Sequence, residues 1–465
     1  MAPPRIHWPR ANTHSPRPKP TLPPAPCGFR LPSDLIPMPN PSTKIDVLVV
    51  GAGPSGLLAA LELAQAGVSV EIIDRAPCPT ARSCACGLHA SSLERLGRLG
   101  LEASLLDAGI PIQTFSFHEG SEHRADLRVG GSPGASGRGL LSIPQDRLEA
   151  ILEKAAHDRG IRVSWGYRLD DLHQDDHTVR ATVEKLGLTS VGYPFARSEE
   201  MVEREIEVYA KFVIGADGAA SHVRQVLGIP TRACGPAVSY EIFEFKPASP
   251  PQNTPVDEVR VAVGPGSLDT LWPLPGGGWR WSLQLDTPSS GEHPDKERSA
   301  FVVLNDVTDG AEHQRVDKHI RTRAPWFQAG IAEINWQTLI DYEPKVATRF
   351  GQDRCWLAGD AGHQTSPIGM QSMNVGLREA ADLAQRIAKI LRSGSSLDLL
   401  GEYNLQRLTE WSRLHGQAEF LIAGPRASGW AAGHRSRILP CIPESGAALV
   451  ELAAQLGLGS SCANP

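Results

Sequence analysis

The sequence has no run of 18 or more apolar residues, a small net charge and no cysteine pattern typical of a metal site. Without a long apolar run, a membrane-spanning helix is not expected. A formal net charge of -6 does not supply the basic surface that nucleic-acid binding requires. The eight cysteines are scattered along the chain, at positions 27, 78, 84, 86, 234, 355, 441 and 462, without zinc-site spacing. These absences favour a cytoplasmic protein with reduced thiols, no metal, no membrane span and no nucleic-acid partner.

The first 43 residues are poor in acidic and apolar residues. They contain thirteen prolines, five Lys or Arg residues and one acidic residue, Asp34. No apolar segment of the kind found in a secretory signal is present. Because such a composition cannot bury enough apolar surface to fold, we expect residues 1–43 to be a Pro-rich disordered extension. Alternatively, translation starts at Met38.

The remaining chain has the composition of a globular protein, with 41% apolar and 21% charged residues, and its length allows two or three domains. Residues 44–75 predict a βαβ unit, in which a β-branched strand leads into the loop GAGPSG at 51–56. Such glycines permit a tight turn, close approach to a pyrophosphate and helix packing, and the helix N-terminus faces the phosphates. Asp74, at the end of the second strand, suits a ribose hydroxyl. A nicotinamide dinucleotide would require the same loop.

Two further glycine motifs follow the βαβ unit. The first is VIGADGAASHVR at 213–224, and the second is LAGDAGH at 357–363, followed by Pro367, Gly369 and Asn374. The order of the motifs, with about 300 residues between the outer two, indicates a flavin adenine dinucleotide (FAD) site built from both ends of the chain. Asp-Gly is also a common turn, so Asp217 has the alternative role of a turn cap. For His363, a packed and hydrogen-bonded side chain is the alternative to a catalyst.

With these three motifs the chain resembles the flavoprotein aromatic hydroxylases, the group-A flavin monooxygenases typified by para-hydroxybenzoate hydroxylase, over roughly residues 44–400. The resemblance implies an α/β fold: a Rossmann-like FAD-binding domain of the para-hydroxybenzoate hydroxylase type with an α+β substrate domain on a mostly antiparallel sheet. The discontinuous FAD-binding domain would comprise residues 44–115, 141–230 and 345–400. The substrate domain would comprise 116–140 and 231–344, and residues 401–465 would form a C-terminal helical segment.

The resemblance also implies roles for individual residues. Asp74 would bind the adenosine ribose, Gln145 the adenosine side of FAD, and Asp360 the ribityl chain. Backbone amides near Met373 and Asn374 would face the flavin pyrimidine, where a helix N-terminus stabilises negative charge. The predicted cofactor-binding residues are Gly51, Ala52, Gly53, Pro54, Ser55, Gly56, Asp74, Arg82, Gln145, Asp217, Gly359, Asp360, Pro367, Gly369, Met373 and Asn374.

The sequence departs from the family pattern next to the flavin. The family commonly has Gly-Gly-Gln-Gly where this chain has Gly-Met-Gln-Ser at 369–372. A side chain at Met370 or Ser372 would interfere if the backbone there needs positive φ or close flavin approach. Glu379 replaces the usual Asp, and the family's flavin-proximal Arg aligns with either Arg82 or Cys84. Cys84 and Cys86 could form a covalent flavin link or redox pair, or pack as ordinary thiols.

The predicted substrate domain is rich in β-patterned segments and carries the aromatic residues Tyr240, Trp272, Trp279 and Trp281. Trp279 and Trp281 share one face of a strand, and Arg280 points the other way. Aromatic residues on this sheet suit a planar substrate, although each taken singly fits ordinary sheet packing. Arg280, His118 and Tyr240 are candidates for substrate deprotonation, and no catalytic residue is assigned. The pattern also predicts a surface insertion around Tyr193–Glu203, a flexible loop at 130–139, and helices near 297–307 and 313–322.

The resemblance implies an FAD-dependent monooxygenase that uses NADPH or NADH and O2, acting through a C4a-hydroperoxyflavin on a small aromatic or polyketide-like substrate by hydroxylation or epoxidation. A monomer or homodimer is expected. One alternative is a flavin-dependent reductase of the geranylgeranyl-reductase type. Another is a non-catalytic binding protein on the same fold. The set of glycines and carboxylates from Gly51 to Asp360 argues against the binding protein.

Overall fold

The computed structural model describes residues 44–79, 85–130, 139–191, 197–249, 255–285, 301–303 and 310–460. The predicted N-terminal extension, Arg82, Cys84 and most of the loop predicted at 130–139 lie outside these residues. The strands, in chain order, are β1 (Lys44–Val50), β2 (Val70–Asp74), β3 (Gly87–Leu88), β4 (Ile110–Ile112), β5 (Thr114–Glu119), β6 (Glu122–Arg128), β7 (Leu140–Ser142), β8 (Val163–Trp165), β9 (Tyr167–Gln174), β10 (Val179–Val191), β11 (Arg197–Gly215), β12 (Thr231–Ala233), β13 (Val238–Pro247), β14 (Glu258–Val263), β15 (Leu268–Leu274), β16 (Gly278–Gln284), β17 (Phe301–Val303), β18 (Ile331–Tyr342), β19 (Lys345–Ala347), β20 (Gly351–Gln352), β21 (Cys355–Leu357), β22 (His363–Gln364), β23 (Leu421–Ala423) and β24 (Leu458–Ser460).

The α-helices alternate with these strands in the first half of the chain and dominate its last hundred residues. They are α1 (Pro54–Gln65), α2 (Ala90–Arg98), α3 (Glu102–Ala108), α4 (Gln145–Asp158), α5 (His222–Val226), α6 (Gly310–Arg323), α7 (Gln371–Ser393), α8 (Asp398–His415), α9 (Gln417–Phe420), α10 (Gly429–Gly433), α11 (Arg435–Ile438) and α12 (Gly446–Gln455). Short 3-10 helices span Gly359–Ala361 and Leu439–Cys441.

The first large sheet has a parallel centre, in the order β20-β21-β11-β1-β2-β8, and β10 and β9 extend it from β11. Strand β1 is parallel to both of its neighbours, β11 and β2. Val47 and Val49 pack in the core with α1, α4 and α7, whereas Leu48 and Val50 pack in the core on the opposite face. A strand covered on both faces must be apolar, which explains the continuous apolar run Val47–Val50; Lys44 and Asp46 lie at the less buried start of β1.

The second large sheet has the order β17-β18-β13-β16-β15-β14-β5-β6 and is antiparallel except for the β14–β5 pair. Alternate residues of its strands enter two separate cores. Phe243, Leu271 and Trp281 pack with Val316 and Ile320 of α6. The opposite face packs with the last part of the chain, including α11 and α12. The two sheets confirm the predicted combination of a Rossmann-like α/β unit with a mostly antiparallel sheet.

One local prediction was wrong and another left a strand unrecognised, both where long-range pairing decides the structure. The described part of the segment predicted as a surface insertion, residues 197–203, belongs to β11, which pairs with β10 as a long ribbon. Met201 and Val202 are 52% and 42% exposed, so no buried face marks this strand in the sequence. The described part of the helix predicted at 297–307 is strand β17, which pairs with β18. Three apolar residues, Phe301–Val303, carry no period that separates helix from strand.

The C-terminal helices do not form a separate layer. Tyr403 and Trp411 of α8 pack in the core of the first sheet, and Leu449 and Ala453 of α12 pack in the core beside the second. No helix in the described ranges is long and apolar enough to span a membrane. Cys86, Cys234, Cys355 and Cys441 are free and Cys78 is disulfide-bonded, so the prediction of reduced thiols throughout is wrong for Cys78.

Candidate functional site

The loop between β1 and α1 is closed on one side and open on the other. Gly51 has φ +104°, and an added Cβ would lie 2.3 Å from the Ala216 carbonyl oxygen. At Gly56 an added Cβ would lie 1.9 Å from the Gly51 carbonyl oxygen, whereas at Gly53 it would meet nothing within 4 Å. Helix α1 starts with Pro54 and has no side-chain cap. The first-turn amides and the positive dipole end therefore face open space, as an anion-binding helix N-terminus requires.

The motif at the end of β21 packs directly against this helix start. Gly359 has φ +68°, and an added Cβ would lie 2.6 Å from Ser55 Oγ. An added Cβ at Gly376 in α7 would lie 2.9 Å from the Gly359 Cα atom. The starts of α1 and α7 and the Gly359–Ala361 turn thus meet at contact distance, which only glycine permits. The fold brings together two motifs that lie about 300 residues apart in the sequence.

A single cavity is lined by residues of all three glycine motifs. Seven of its lining residues are predicted cofactor-binding residues, namely Gly53, Pro54, Ser55, Gln145, Asp360, Pro367 and Met373. The complete lining is Gly53, Pro54, Ser55, Ala85, Gln145, Ala216, Gly218, Tyr342, Asp360, Thr365, Ser366, Pro367, Met370, Ser372 and Met373. Sequence reasoning did not select Tyr342, Thr365 and Ser366. Residues 365 and 366 lie between two parts of the recognised motif, but Tyr342 had no signal in the sequence.

Asp74 and Gln145 brace the loops on the β2 side of this cavity. The Asp74 carboxylate accepts hydrogen bonds from the amides of Ala52 (2.7 Å) and Ala76 (2.8 Å), and Asp74 does not line the cavity itself. Gln145 accepts from the Ala85 amide (3.1 Å) and donates to Glu149 Oε1 (2.8 Å). Burial and the nearby Asp74 charge, partly offset by the Gln145 hydrogen bond, together raise the pKa of Glu149 to about 7. Glu149 was not selected from the sequence.

Asp217 acts as a cap in the structure, the alternative that its Asp-Gly turn left open. Its carboxylate accepts from Ser221 Oγ (2.6 Å) and from the amides of His222 (2.7 Å) and Val223 (3.1 Å) at the start of α5. Burial raises its pKa, which these hydrogen bonds partly offset. Because the side chain points into α5, the part of this motif that faces the cavity is the backbone of Ala216 and Gly218.

The loop that leads into α7 differs from the prediction in where its side chains point. Met370 adopts φ +53°, so the backbone needs the left-handed conformation and the chain supplies it without glycine. Ser372 has no positive φ. Asn374 is buried, and its side-chain nitrogen Nδ2 donates to the carbonyl oxygens of Gly87 (2.9 Å) and Met370 (2.7 Å). Met373 lines the cavity, whereas Asn374 shapes the loop from behind.

Gly369 and Pro367 complete this loop. An added Cβ at Gly369 would lie 2.4 Å from the Pro440 carbonyl oxygen, so Gly369 is required by packing against the C-terminal segment. Pro367 lines the cavity, and its carbonyl oxygen accepts from the Met370 amide (3.2 Å). His89 Nε2 lies 2.8 Å from the Gly369 carbonyl oxygen. The C-terminal segment therefore supports the loop at the predicted flavin edge.

The second sheet divides the four aromatic residues singled out in the sequence, Tyr240, Trp272, Trp279 and Trp281, between its two faces. Trp279 and Trp281 pack on the α6 side, as ordinary sheet packing requires, and Arg280 points to the opposite face, as predicted. Trp272 is on that opposite face, where an added Cβ at Gly87 would lie 2.7 Å from its ring. Tyr240 packs edge-to-face with the cavity residue Tyr342, with 6.1 Å between ring centroids.

Of the three candidates for substrate deprotonation, only Tyr240 contacts the cavity lining, through Ser366 Oγ at 3.2 Å. Burial raises the pKa of Tyr240, so its hydroxyl stays protonated. Arg280 is 1% exposed and forms an ion pair with Glu244. The His118 ring packs at a tilt against Trp326 on the α6 side, and burial lowers its pKa to about 4.

Cys86 is an ordinary packed thiol. It is fully buried, and burial raises its pKa to about 11, so the thiolate needed for covalent or redox chemistry is disfavoured. Among the described residues, no cluster of three or more His, Cys, Asp and Glu side chains could hold a metal ion.

The residues of the cavity fit a dinucleotide. Gly53 leaves room beside uncapped helix amides, and the exposed Asp360 carboxylate is an acceptor for a sugar hydroxyl. These groups match a pyrophosphate and a polyhydroxyl chain, respectively.

The chain is similar in sequence to several known monooxygenases. Relatives include 6-methylpretetramide 4-monooxygenase of Streptomyces rimosus, 29% identical over 81% of this chain and 61% of that protein. Pentachlorophenol 4-monooxygenase of Sphingobium chlorophenolicum is 28% identical over 79% of this chain and 63% of that protein. The chain thus spans less than two thirds of the length of these two relatives.

Solved structures share the fold. A p-nitrophenol 4-monooxygenase from Pseudomonas putida matches with a TM-score of 0.66 at 19% identity, covering 89% of this chain and 93% of that one. A complex of aklavinone-11 hydroxylase with FAD and aklavinone matches with a TM-score of 0.62 at 23% identity, covering 87% and 71% of the two chains.

The family model described as "FAD binding domain" matches residues 44–415. This range includes all three glycine motifs and the strands of both large sheets. The match confirms the predicted family and its FAD cofactor, and the chain belongs to the FAD binding domain family.

Proposed function

We propose that this protein is an FAD-dependent monooxygenase that uses NADPH or NADH and O2 to hydroxylate or epoxidise a small aromatic or polyketide-like substrate. The observation that carries the proposal is the cavity shared by the α1 start, the Asp360 turn and the second sheet. One end of it has the groups that suit a dinucleotide. The other end, at Tyr342 and Ser366, adjoins an aromatic wall.

The cofactor roles follow from the positions of the lining residues. The amides at the start of α1, beside Gly53 and Ser55, would bind the pyrophosphate. Asp360 would accept hydrogen bonds from the ribityl hydroxyls, and the start of α7 at Met373 would face the flavin pyrimidine. Bound FAD would supply hydride acceptance from NAD(P)H and activation of O2. Asp74 and Gln145 would hold the adenosine-side loops in place.

The substrate would bind against the second sheet. Tyr342 lines the cavity, and the buried Tyr240 and Trp272 pack behind the lining, on the face of the sheet that packs toward Met370. The partly exposed Tyr342 ring suits a planar substrate through stacking or edge-to-face contacts. Ser366 lines the cavity and is hydrogen-bonded to the Tyr240 hydroxyl, so its own hydroxyl would orient a substrate oxygen by hydrogen bonding. The relatives named for pentachlorophenol and for 6-methylpretetramide support a phenolic or polycyclic substrate.

The decisive experiment combines a visible absorption spectrum of the purified protein with assays of NAD(P)H oxidation and oxygen uptake. A panel of phenols and polycyclic aromatics should include compounds that stimulate both rates together, with an oxygenated product detected by mass spectrometry. NAD(P)H oxidation without oxygen uptake, coupled to reduction of the added compound, would instead indicate a reductase. Absence of flavin bands after reconstitution with FAD would indicate a non-catalytic binding protein. We also propose a cytoplasmic location and a monomer or homodimer.

A further inference from the structure

A chain of polar side chains lies behind Asp360. Ser372 Oγ donates to Asp360 Oδ1 (2.7 Å) and lies 3.4 Å from His363 Nδ1. His363 Nε2 lies 2.9 Å from Glu379 Oε2, and the same carboxylate oxygen accepts from the Gly359 amide at 3.0 Å. We call Ser372, His363 and Glu379 the polar chain. It connects the carboxylate and the backbone of the turn that reaches the cavity.

The polar chain is buried and closely packed. His363 and Glu379 are 1% and 0% exposed, and the His363 ring stacks on Trp411 with 3.8 Å between ring centroids. Trp411 Nε1 donates to Glu379 Oε1 at 2.7 Å. Both carboxylate oxygens of Glu379 are thus hydrogen-bonded, which buried polar groups require. Trp411 belongs to α8, so the C-terminal helices help to fix the turn.

The hydrogen bonds have a defined direction. Burial alone would raise the pKa of Glu379, but His363, Arg407 and the Trp411 hydrogen bond outweigh burial and lower it. The ionised carboxylate only accepts, so His363 Nε2 carries a proton and donates it. Gly359 also donates to this carboxylate. Glu379 therefore holds the backbone amide before Asp360 and the ring beyond it at the same time.

We propose that Ser372, His363 and Glu379 are positioning residues that hold the Gly359–Asp360 turn in the conformation that binds the cofactor. Ser372 stands where the aromatic hydroxylase pattern commonly has glycine. Its hydroxyl fixes the Asp360 carboxylate, which is otherwise exposed. The inference rests on the proposed function for the identity of the cofactor, whereas its structural part concerns the turn alone.

The first test compares Glu379→Gln with Glu379→Asp in the full-length protein. The Gln side chain removes the negative charge of the carboxylate that Gly359 and His363 contact, whereas Asp retains that charge. We expect Glu379→Gln to raise the FAD dissociation constant of the apoprotein about tenfold or more. The dissociation constant of Glu379→Asp should be at least about threefold lower than that of Glu379→Gln. Hydrogen exchange at residues 355–364 of the apoprotein should be faster in Glu379→Gln than in Glu379→Asp.

The control for this pair is Glu241→Gln. Glu241 is a buried carboxylate of the second sheet that accepts from Arg315 and Gln337, outside the cavity lining. Its loss should leave FAD affinity unchanged within about threefold while affecting stability. Equal FAD affinity and equal exchange in Glu379→Gln and Glu379→Asp would overturn the positioning role of Glu379.

The second test concerns Ser372 and remains informative if Glu379→Gln does not fold. Ser372→Ala should raise the FAD dissociation constant about three- to tenfold. Ser372→Thr, which keeps the hydroxyl, should have a dissociation constant close to that of the wild type. Ser396→Ala is the matched control, because Ser396 Oγ donates to Asp398 at 2.8 Å on an exposed surface. If Ser372→Ala behaves like Ser396→Ala, the polar chain does not position Asp360. A wild type that binds no FAD would refute the proposed function, and the exchange comparison would still decide the polar chain.

Discussion

Met370 is the residue at which side chain and backbone conformation conflict. Its φ of +53° is the left-handed region that favours glycine, yet the side chain is buried against Trp272 and Gly87. Asn374 and His89 hold the loop on either side of it. The left-handed conformation costs roughly 1–2 kcal/mol for a residue with a Cβ. Burial of the thioether side chain, about 1.5–3 kcal/mol, offsets that cost.

Replacing Met370 separates the strain from the packing. Met370→Ala and Met370→Gly both lose the side chain, but only glycine removes the strain. We expect the free energy of unfolding of Met370→Gly to exceed that of Met370→Ala by about 1 kcal/mol in urea titrations. At Met373, inside α7, the order should reverse by about 1 kcal/mol, because glycine destabilises helices. The same order at both positions would contradict the left-handed assignment of Met370.

Asp360 is the carboxylate on which the proposed cofactor contact depends most directly. It is exposed to the cavity and linked to Ser372. Asp360→Ala should strip FAD from the purified protein, since a charge-assisted hydrogen bond to a ribityl hydroxyl contributes about 1.5–3 kcal/mol. The measurement is the flavin-to-protein absorbance ratio after desalting. Retention of stoichiometric flavin would refute the role of Asp360.

Glu149 gives the protein a pH dependence with a definite sign. Its pKa, raised by burial to about 7, exceeds the ordinary value near 4.5, so the folded state binds a proton that the unfolded state has released. The stabilisation is complete below the ordinary pKa and is lost as the pH rises through 7. Between about pH 5 and pH 8 the free energy of unfolding should fall by about 1–3 kcal/mol relative to Glu149→Gln. Parallel pH profiles for the two proteins would contradict the shift.

At the scale of elements, the start of α1 has two glycines with different tasks. Gly53 has open space around its Cα, whereas Gly56 lies against the Gly51 carbonyl oxygen. Gly53 therefore leaves room for a ligand, whereas Gly56 allows the helix to pack on the strand. This difference is not visible in the sequence, in which both are simply glycines of one loop.

A matched pair of alanine variants tests this division. Gly53→Ala should change the free energy of unfolding by about 0.5 kcal/mol or less and still weaken FAD binding, because the new methyl group occupies the space beside the helix amides. Gly56→Ala should destabilise the fold by several kcal/mol, since the Cβ would lie 1.9 Å from a backbone oxygen. Urea unfolding and FAD titration measure the two effects. Unchanged FAD affinity in Gly53→Ala would contradict a phosphate site at this helix start.

At the scale of the whole molecule, the site depends on both ends of the described chain. Gly53, Pro54 and Ser55 line one cavity together with Asp360 and six residues between 365 and 373, and Pro440 and Trp411 support its loops from the C-terminal segment. FAD should therefore stabilise the whole fold, by about 2.7 kcal/mol at a hundredfold excess over the dissociation constant. Hydrogen exchange should slow in peptides from residues 44–75 and 355–374 together. Protection of only one of the two regions would contradict a shared site.

Much of the fold was predictable because its signals are local. The apolar run of β1, the glycine loop and the period of α1 lie within about 20 residues and predict the βαβ unit by themselves. The family pattern then predicted the second sheet. Strands at 197–203 and 301–303 were missed, because β11 and β17 there depend on pairing partners rather than on a period of their own.

The residue types of a dinucleotide site are recognisable from local signals, because the glycines of its turn and the proline that begins α1 are neighbours in the sequence. The tertiary structure sets the direction of individual side chains. It directs Asp217 into a helix cap and Asn374 behind the loop, and it places Trp281 on the α6 side of the sheet. It also joins Trp411 to Glu379 across 32 residues. The physical reason is that a side chain takes the face on which its partner lies, and those partners come from distant parts of the chain.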